Sequence, residues 1–237
     1  MSKKKICVVI NNRANYARIK SFLIEAKKNK NIDLQIIAAG SSVLSKYGSV
    51  DKILADDKLK LNVKLHTIVE GNEPICMVKT TSQTLSELST AFSRLKPEIV
   101  VVIGDRYENL AVAIAASYMN ISLAHIQGGE VTGSIDETVR HAITKLSHIH
   151  FVCTKRAKIF LTRMGEKKET IFNTGCPSID LVNKLDKKID NNFSKRNSSV
   201  GDQINFKKKY IVVLFHPVTT EFDKNKEYIN YLLKAIE

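Results

Sequence analysis

Short apolar runs of strand length alternate with amphipathic segments of helix length from residue 5 to about residue 185, and few architectures satisfy that alternation. The apolar runs cover residues 5–10, 32–39, 63–68, 98–103, 122–126, 150–153 and 170–173. Between them, Ile19, Phe22, Leu23 and Ala26 recur at helical spacing, as do Ile75, Leu85, Leu88, Phe92 and Leu95 in a long segment that opens at Pro74. Further helices are expected up to Met119, from near Asp136, over 155–164, and from the Gly175-Cys176-Pro177-Ser178 turn to about Leu185. Strand and helix in strict alternation predict an α/β fold, a parallel doubly wound sheet with helices on both faces.

Within that frame the richest stretch runs from Gly104 to Lys145. The apolar run 98–103 stops abruptly at Gly104-Asp105-Arg106, which places a carboxylate and a guanidinium at the C-terminal edge of a buried parallel strand, where open α/β sheets bind ligands. The run 122–126 opens in turn into Gln127-Gly128-Gly129-Glu130. The glycine pair fits a plain turn or a backbone that approaches a ligand closely. Asp136 fits either a functional acid or a first-turn residue, since Ser134 and Glu137 stand at capping-box spacing. Arg140 fits an i,i+4 ion pair as well as a substrate contact. His125, His148 and His150 lie in or beside apolar runs and read as structural. The Asn11-Asn12-Arg13 turn lacks a Gly-x-Gly-x-x-Gly signature, so no dinucleotide cofactor is expected.

The formal charge of +13 raises the question of nucleic acid, but the excess is lysine scattered over helix faces, with its densest patch in a polar segment. A diffuse positive field that draws in a small anionic substrate suits it better than a nucleic-acid partner. No run approaches the roughly 18 apolar residues of a membrane span. The N-terminus has no apolar core of a secretory signal, so a cytoplasmic protein is expected. Cys7, Cys76, Cys153 and Cys176 form no CxxC pair and suit reduced, mostly buried thiols better than a metal site or a disulfide framework. Residues 186–208 read as a polar linker or surface excursion after a first domain over 1–185. Residues 209–237, an apolar run 209–215 ending at His216 and a helix 228–236, read as the start of a second, truncated domain.

The segments CVVINNRANYAR, LHTIVEGNEP, VVIGDRYENLAVA, AHIQGGEVTGSIDETVRHAITKLSHIHFVCT, NTGCPSIDLV and VVLFHPVTTE resemble the hydrolysing UDP-N-acetylglucosamine 2-epimerases, above all the epimerase half of the bifunctional animal enzyme of sialic acid synthesis. The resemblance spans the chain in order. It implies the N-terminal half of a two-domain GT-B type fold, with Rossmann-like domains facing each other across a cleft. It also implies a reaction in which UDP leaves C1 of the sugar with the C2 proton, and water adds to the glycal to invert the 2-acetamido carbon. That chemistry needs no metal and no redox cofactor.

Carried over residue by residue, the resemblance makes Asp105 and Asp136 active-site carboxylates. His216 becomes a catalytic or phosphate-contacting histidine, and Arg13 and Arg106 become nucleotide-binding arginines. Gln127 stands where the animal enzymes have glutamate, and since an amide cannot take a proton, Glu130 or one of the aspartates must do so, or the position serves only hydrogen bonding. Gly128, Gly129 and Arg140 complete the expected substrate contacts. The partner expected is a UDP-sugar, with UDP-N-acetylglucosamine or UDP-N,N'-diacetylbacillosamine as substrate, and the full-length protein is expected to be a homo-oligomer. Two alternatives remain: a non-catalytic nucleotide-sugar-binding half-protein, and a glycosyltransferase of the same architecture. The 237-residue chain alone is expected to be inactive.

Overall fold

The computed structural model describes residues 2–183, 185, 189, 192–193, 200–202, 204–216 and 221–236. It divides into two compact units, 1–184 and 185–237. The first unit holds strands β1 (Lys4–Ile10), β2 (Ile32–Ala38), β3 (Val63–Lys64), β4 (Ile99–Ile103), β5 (Ser122–Ile126), β6 (Ile149–Val152) and β7 (Ile171–Asn173). Its helices are α1 (Arg13–Lys28), α2 (Val50–Asp56), α3 (Pro74–Leu95), α4 (Tyr107–Tyr118), α5 (Ile135–Leu146), α6 (Lys155–Arg163) and α7 (Pro177–Val182). The strands form one parallel sheet in the order β3-β2-β1-β4-β5-β6-β7. From β1 the chain steps outward to β2 and β3, then returns to lay β4 on the other side of β1. That reversal opens a crevice at the carboxyl ends of β1 and β4.

Alternation along each strand fills both faces. Cys7 and Val9 of β1 join Leu88 and Phe92 of α3, Val112 of α4 and Ile143 of α5 on one side. Val8 and Ile10 meet Ile19 and Leu23 of α1 and Leu54 of α2 on the other. Each large aliphatic side chain so buried stabilises the fold by about 1.5–3 kcal/mol. A smaller cluster of Val152, Ala157, Leu161 and Ile171 seats α6 at the sheet edge. Helix α3 begins with Pro74, where a missing N–H costs nothing, and ends at Lys96, whose left-handed backbone returns its N–H to the Phe92 carbonyl. Among the described residues, no helix is long and apolar enough to cross a membrane.

Two expected strands differ. β3 ends at Lys64 instead of reaching residue 68. Leu65 still donates to the Ala38 carbonyl at 2.8 Å, but Thr67 is then buried and engaged by its side chain, accepting from Gly40 N–H at 3.3 Å and from the Thr84 hydroxyl at 2.8 Å. Side-chain bonding there displaces the ladder. In the second unit, residues 209–216 take no regular structure although they are apolar, because no described strand of that unit offers them an edge. Its helix α8 (Asn225–Ile236) forms, beginning three residues earlier than the spacing suggests. Of the cysteines, only Cys7 is buried; Cys76, Cys153 and Cys176 are partly exposed, and all four are free thiols.

Candidate functional site

The carboxyl ends of β4 and β5, the head of α5 and the segments after β6 and β7 surround a cavity of about 510 Å³. Asp105, Gln127, Glu130 and Arg140 line it, with Cys153 and Cys176. A larger groove of about 650 Å³ lies between α1 and α7 over the sheet, but its floor is apolar, formed by residues such as Ile99, Ile126 and Phe151. The titratable groups converge on the smaller cavity.

Arg140 organises the cavity. Its buried guanidinium donates to Asp105 Oδ2 and to the Glu130 carbonyl, and at 3.4 Å to Thr132 Oγ1. The arginine expected to pair along its own helix thus pairs across to the end of β4. The i,i+4 pair on α5 is instead Glu137 with His141, at 3.6 Å. Glu137 also accepts from Thr132 N–H at 2.5 Å and Gly133 N–H at 2.6 Å, bonds that hold its proton affinity below the usual carboxylate range. Ser134 is the N-cap but makes no side-chain cap, and Glu137 accepts from the two residues before Ser134 instead of from Ser134 N–H, so the capping box does not form.

Asp136, at the head of α5, has its proton affinity raised. Burial, and then the nearby charge of Asp105, push it above the ordinary value of 3.8, while Arg106 and Arg140 oppose the shift. Arg106 itself pairs with the buried Glu108 at 3.3 Å and lies 5.0 Å over the Tyr107 ring. Its charge reaches Asp136. Asp105, Asp136, Arg106 and Arg140 therefore form one electrostatic group, with Glu130 and Gln127 on the adjoining cavity wall.

Other expected contacts lie elsewhere. Arg13 is exposed and donates to the Tyr47 carbonyl at 3.1 Å, packed over Gly48 in the 45–48 turn, and does not line the cavity. His216 is exposed in the second unit. Internal packing by itself leaves no room for side chains at the glycine pair. A Cβ on Gly128 would stand 3.0 Å from both His125 Nδ1 and Thr144 Oγ1. On Gly129, at φ +84°, it would meet Leu161 Cδ1 at 2.5 Å and the Ala157 carbonyl at 2.7 Å. Gly129→Ala is expected to cost about 2–4 kcal/mol, combining over-packing with a left-handed backbone for alanine. Urea denaturation reads it as a lower midpoint at unchanged slope; a midpoint equal to that of the parent would refute the packing argument.

His125 anchors the floor beneath. Burial pushes it down to about 4, so the ring is neutral, and since the Gly104 carbonyl 2.9 Å from Nε2 can only accept, Nε2 carries the proton and Nδ1 accepts from Thr144. At the crevice between β1 and β4, Asn11 Nδ2 donates to Asn109 Oδ1 at 2.8 Å and Asn109 Nδ2 donates to the Ile103 carbonyl at 2.6 Å. These bonds hold Gly104 and Asp105 in place.

Sequence reasoning missed Arg18, Cys153 and Cys176. Gln127, a non-glycine residue at φ +68°, accepts from Arg18 Nη1 at 3.4 Å and donates from Nε2 to Cys176 Sγ at 3.4 Å. Arg18 sits one turn beyond the conspicuous Asn11–Arg13 turn with nothing local to mark it. Cys176 follows Thr174 and Gly175 after the end of β7, a strand-exit placement like that of Asp105 after β4 and legible as such.

The family model described as UDP-N-acetylglucosamine 2-epimerase matches residues 24–237. A GDP/UDP-N,N'-diacetylbacillosamine 2-epimerase (hydrolyzing) of Campylobacter jejuni is 33% identical over all of this chain and 60% of its own length. A UDP-N,N'-diacetylbacillosamine 2-epimerase (hydrolyzing) of Legionella pneumophila is 34% identical over 98% of this chain and 60% of its own. Among solved structures, the UDP-GlcNAc 2-epimerase of Methanocaldococcus jannaschii in complex with UDP-GlcNAc and UDP is 26% identical, with a TM-score of 0.64 over 77% of this chain and 51% of that one. The chain thus spans about 60% of the length of the curated relatives it matches.

Proposed function

The chain belongs to the UDP-N-acetylglucosamine 2-epimerase family, and from that premise we propose that it carries the N-terminal catalytic half of a hydrolysing 2-epimerase acting on a UDP-N-acetylated hexosamine. The observation that carries this reading is the divergence of two neighbouring carboxylates. Asp136 is held above the usual range by burial and by Asp105, while Asp105 is tied to Arg140. Two neighbouring acids with different environments, one lining the cavity and one beside it, suit a reaction that removes a proton from one face of C2 and returns one to the other.

In this reading Asp136 exchanges the C2 proton, and Asp105, oriented by Arg140, serves the opposite face. Arg106 receives the departing diphosphate, and Arg13 and His216 are the further nucleotide contacts that the family resemblance implies. Gln127 holds its neighbours by hydrogen bonds, leaving Glu130 as the remaining acid of the cavity. Elimination leaves a glycal, and water addition releases the free 2-epimer. With UDP-N-acetylglucosamine the products are N-acetylmannosamine and UDP, which supply sialic acid-type synthesis. The bacillosamine-type substrate has equal standing, because the two relatives above 30% identity described here carry that name.

The test is incubation with each UDP-sugar in deuterated water, using the 237-residue chain and a polypeptide of the relatives' full length. UDP release with deuterium at C2 is expected from the longer protein. Little turnover is expected from the 237-residue chain, where His216 is exposed on a segment without regular structure. Release of UDP without deuterium at C2, or transfer of the sugar to an acceptor, would reject the epimerase reading.

A further inference from the structure

Two thiols open onto the cavity without any part in the chemistry above. Cys153 follows the last residue of β6 and Cys176 is the N-cap of α7, and the register Val152↔Asn173 brings the two strand exits side by side. Both sulfurs are partly exposed and line the cavity that holds Asp105 and Arg140. Cys176 Sγ also accepts the Gln127 amide N–H, and the other side of that amide holds Arg18, so the sulfur is wired to the cavity wall.

We propose that Cys176, with Cys153 as its resolving partner, is a redox-modification site that takes small-molecule disulfides of the glutathione class and closes to a Cys153–Cys176 disulfide. The Cys176 thiolate attacks one sulfur of the incoming disulfide and expels the other half as a thiolate, which takes up a proton. Cys153 then attacks the Cys176 sulfur of the mixed disulfide, its proton passing to the second departing thiolate. Two protein thiols are oxidised and one small disulfide is reduced to two thiols.

The environments of the two sulfurs match these roles. Burial alone would raise Cys176, but hydrogen bonds from Ser178, Gln127 and Cys153 outweigh it and lower its pKa, which favours the nucleophilic thiolate. Cys153 is pushed up to about 12, first by burial and then by the charge and hydrogen bond of Cys176. Once Cys176 is bound in a mixed disulfide it no longer carries that charge, and this part of the upward push on Cys153 disappears. Cys7, also at about 12 and fully buried, offers an internal control.

The experiment treats the folded 237-residue chain with oxidised glutathione, blocks the remaining thiols, and maps peptides by mass spectrometry without reduction. The expected result is one cross-linked peptide pair joining Cys153 to Cys176, while Cys7 remains a free thiol. In Cys153→Ser, a glutathione adduct should persist on Cys176; in Cys176→Ser, Cys153 should stay unmodified, and circular dichroism checks that each variant folds. A lasting adduct on Cys176 of the unmodified sequence, or modification confined to Cys76, overturns the proposal. A second arm rests on the epimerase reading: with the full-length protein, oxidation should abolish UDP release and reduction restore it, whereas Cys176→Ser should keep under oxidation whatever UDP release it shows when reduced. Absence of UDP release under reducing conditions would count against the epimerase reading alone, since the cross-link is scored independently.

Discussion

Arg140→Leu is expected to destabilise the first unit by about 3–5 kcal/mol, because it removes one partner of an ion pair withdrawn from water and leaves the other uncompensated. The Arg140 side chain is 5% exposed and that of Asp105 19%. The same change strands the Glu130 carbonyl and the Thr132 hydroxyl, which Arg140 also serves. Arg140→Lys keeps the charge but cannot reproduce a planar fork that meets three acceptors, so it should recover only part of the loss. Removing both charges in Asp105→Leu/Arg140→Leu should cost less than the two single changes together, since no unpaired charge remains. A double-mutant cycle by urea denaturation measures that coupling. If Arg140→Leu lies within about 1 kcal/mol of the parent, in the range of exposed pairs, the pair does not organise the cavity.

Asp136→Asn should separate activity from stability. As an acid–base residue, Asp136 contributes about 10²–10⁴-fold to turnover, so the full-length protein with asparagine should lose UDP release by that order. Stability should move the other way. A carboxylate whose folded pKa lies above its unfolded value of 3.8 favours folding only while protonated, and that contribution fades as pH rises from 3.8 through the raised folded value. Asparagine never ionises, so the variant should be at least as stable as the parent at pH 7, with the difference shrinking toward pH 4. Turnover of the parent should decline on acidification before the ordinary aspartate range is reached. A thermal midpoint at pH 7 that drops together with activity would show Asp136 to be a structural first-turn residue.

How much of this was legible in the sequence depends on the kind of interaction that decides each feature. Helix α3 and strand β5 lie where proline, apolar spacing and strand-length runs put them, since local geometry and burial agree there. The arrival of Asp105 and Gln127 at one edge follows from parallel strands that both end at their carboxyl side. By contrast, the partner of Arg140 was not readable from helix spacing, because a contact between β4 and α5 depends on how helix and sheet stack. The glycine pair carries a packing constraint that the sequence did not show: α6 presses on Gly129, and no pattern near residue 129 announces residues 157 and 161. The apolar run 209–215 met every local criterion for a strand, but a strand is a relation between two segments, and no partner is described in its unit.

The Asp105–Arg140 bond also bears on the order of folding. It joins positions 35 apart in sequence, yet most of that loop is already closed once Ile103 lies beside Ile126, which leaves Asp105 two residues and Arg140 fourteen residues beyond a zipped ladder. The entropy of bringing them together is therefore spent mainly on the strand pairing and hardly on the ion pair. A pair that closes only after the ladder is expected to form late, so its loss should hasten unfolding more than it slows refolding, and stopped-flow rates of Arg140→Leu test that expectation.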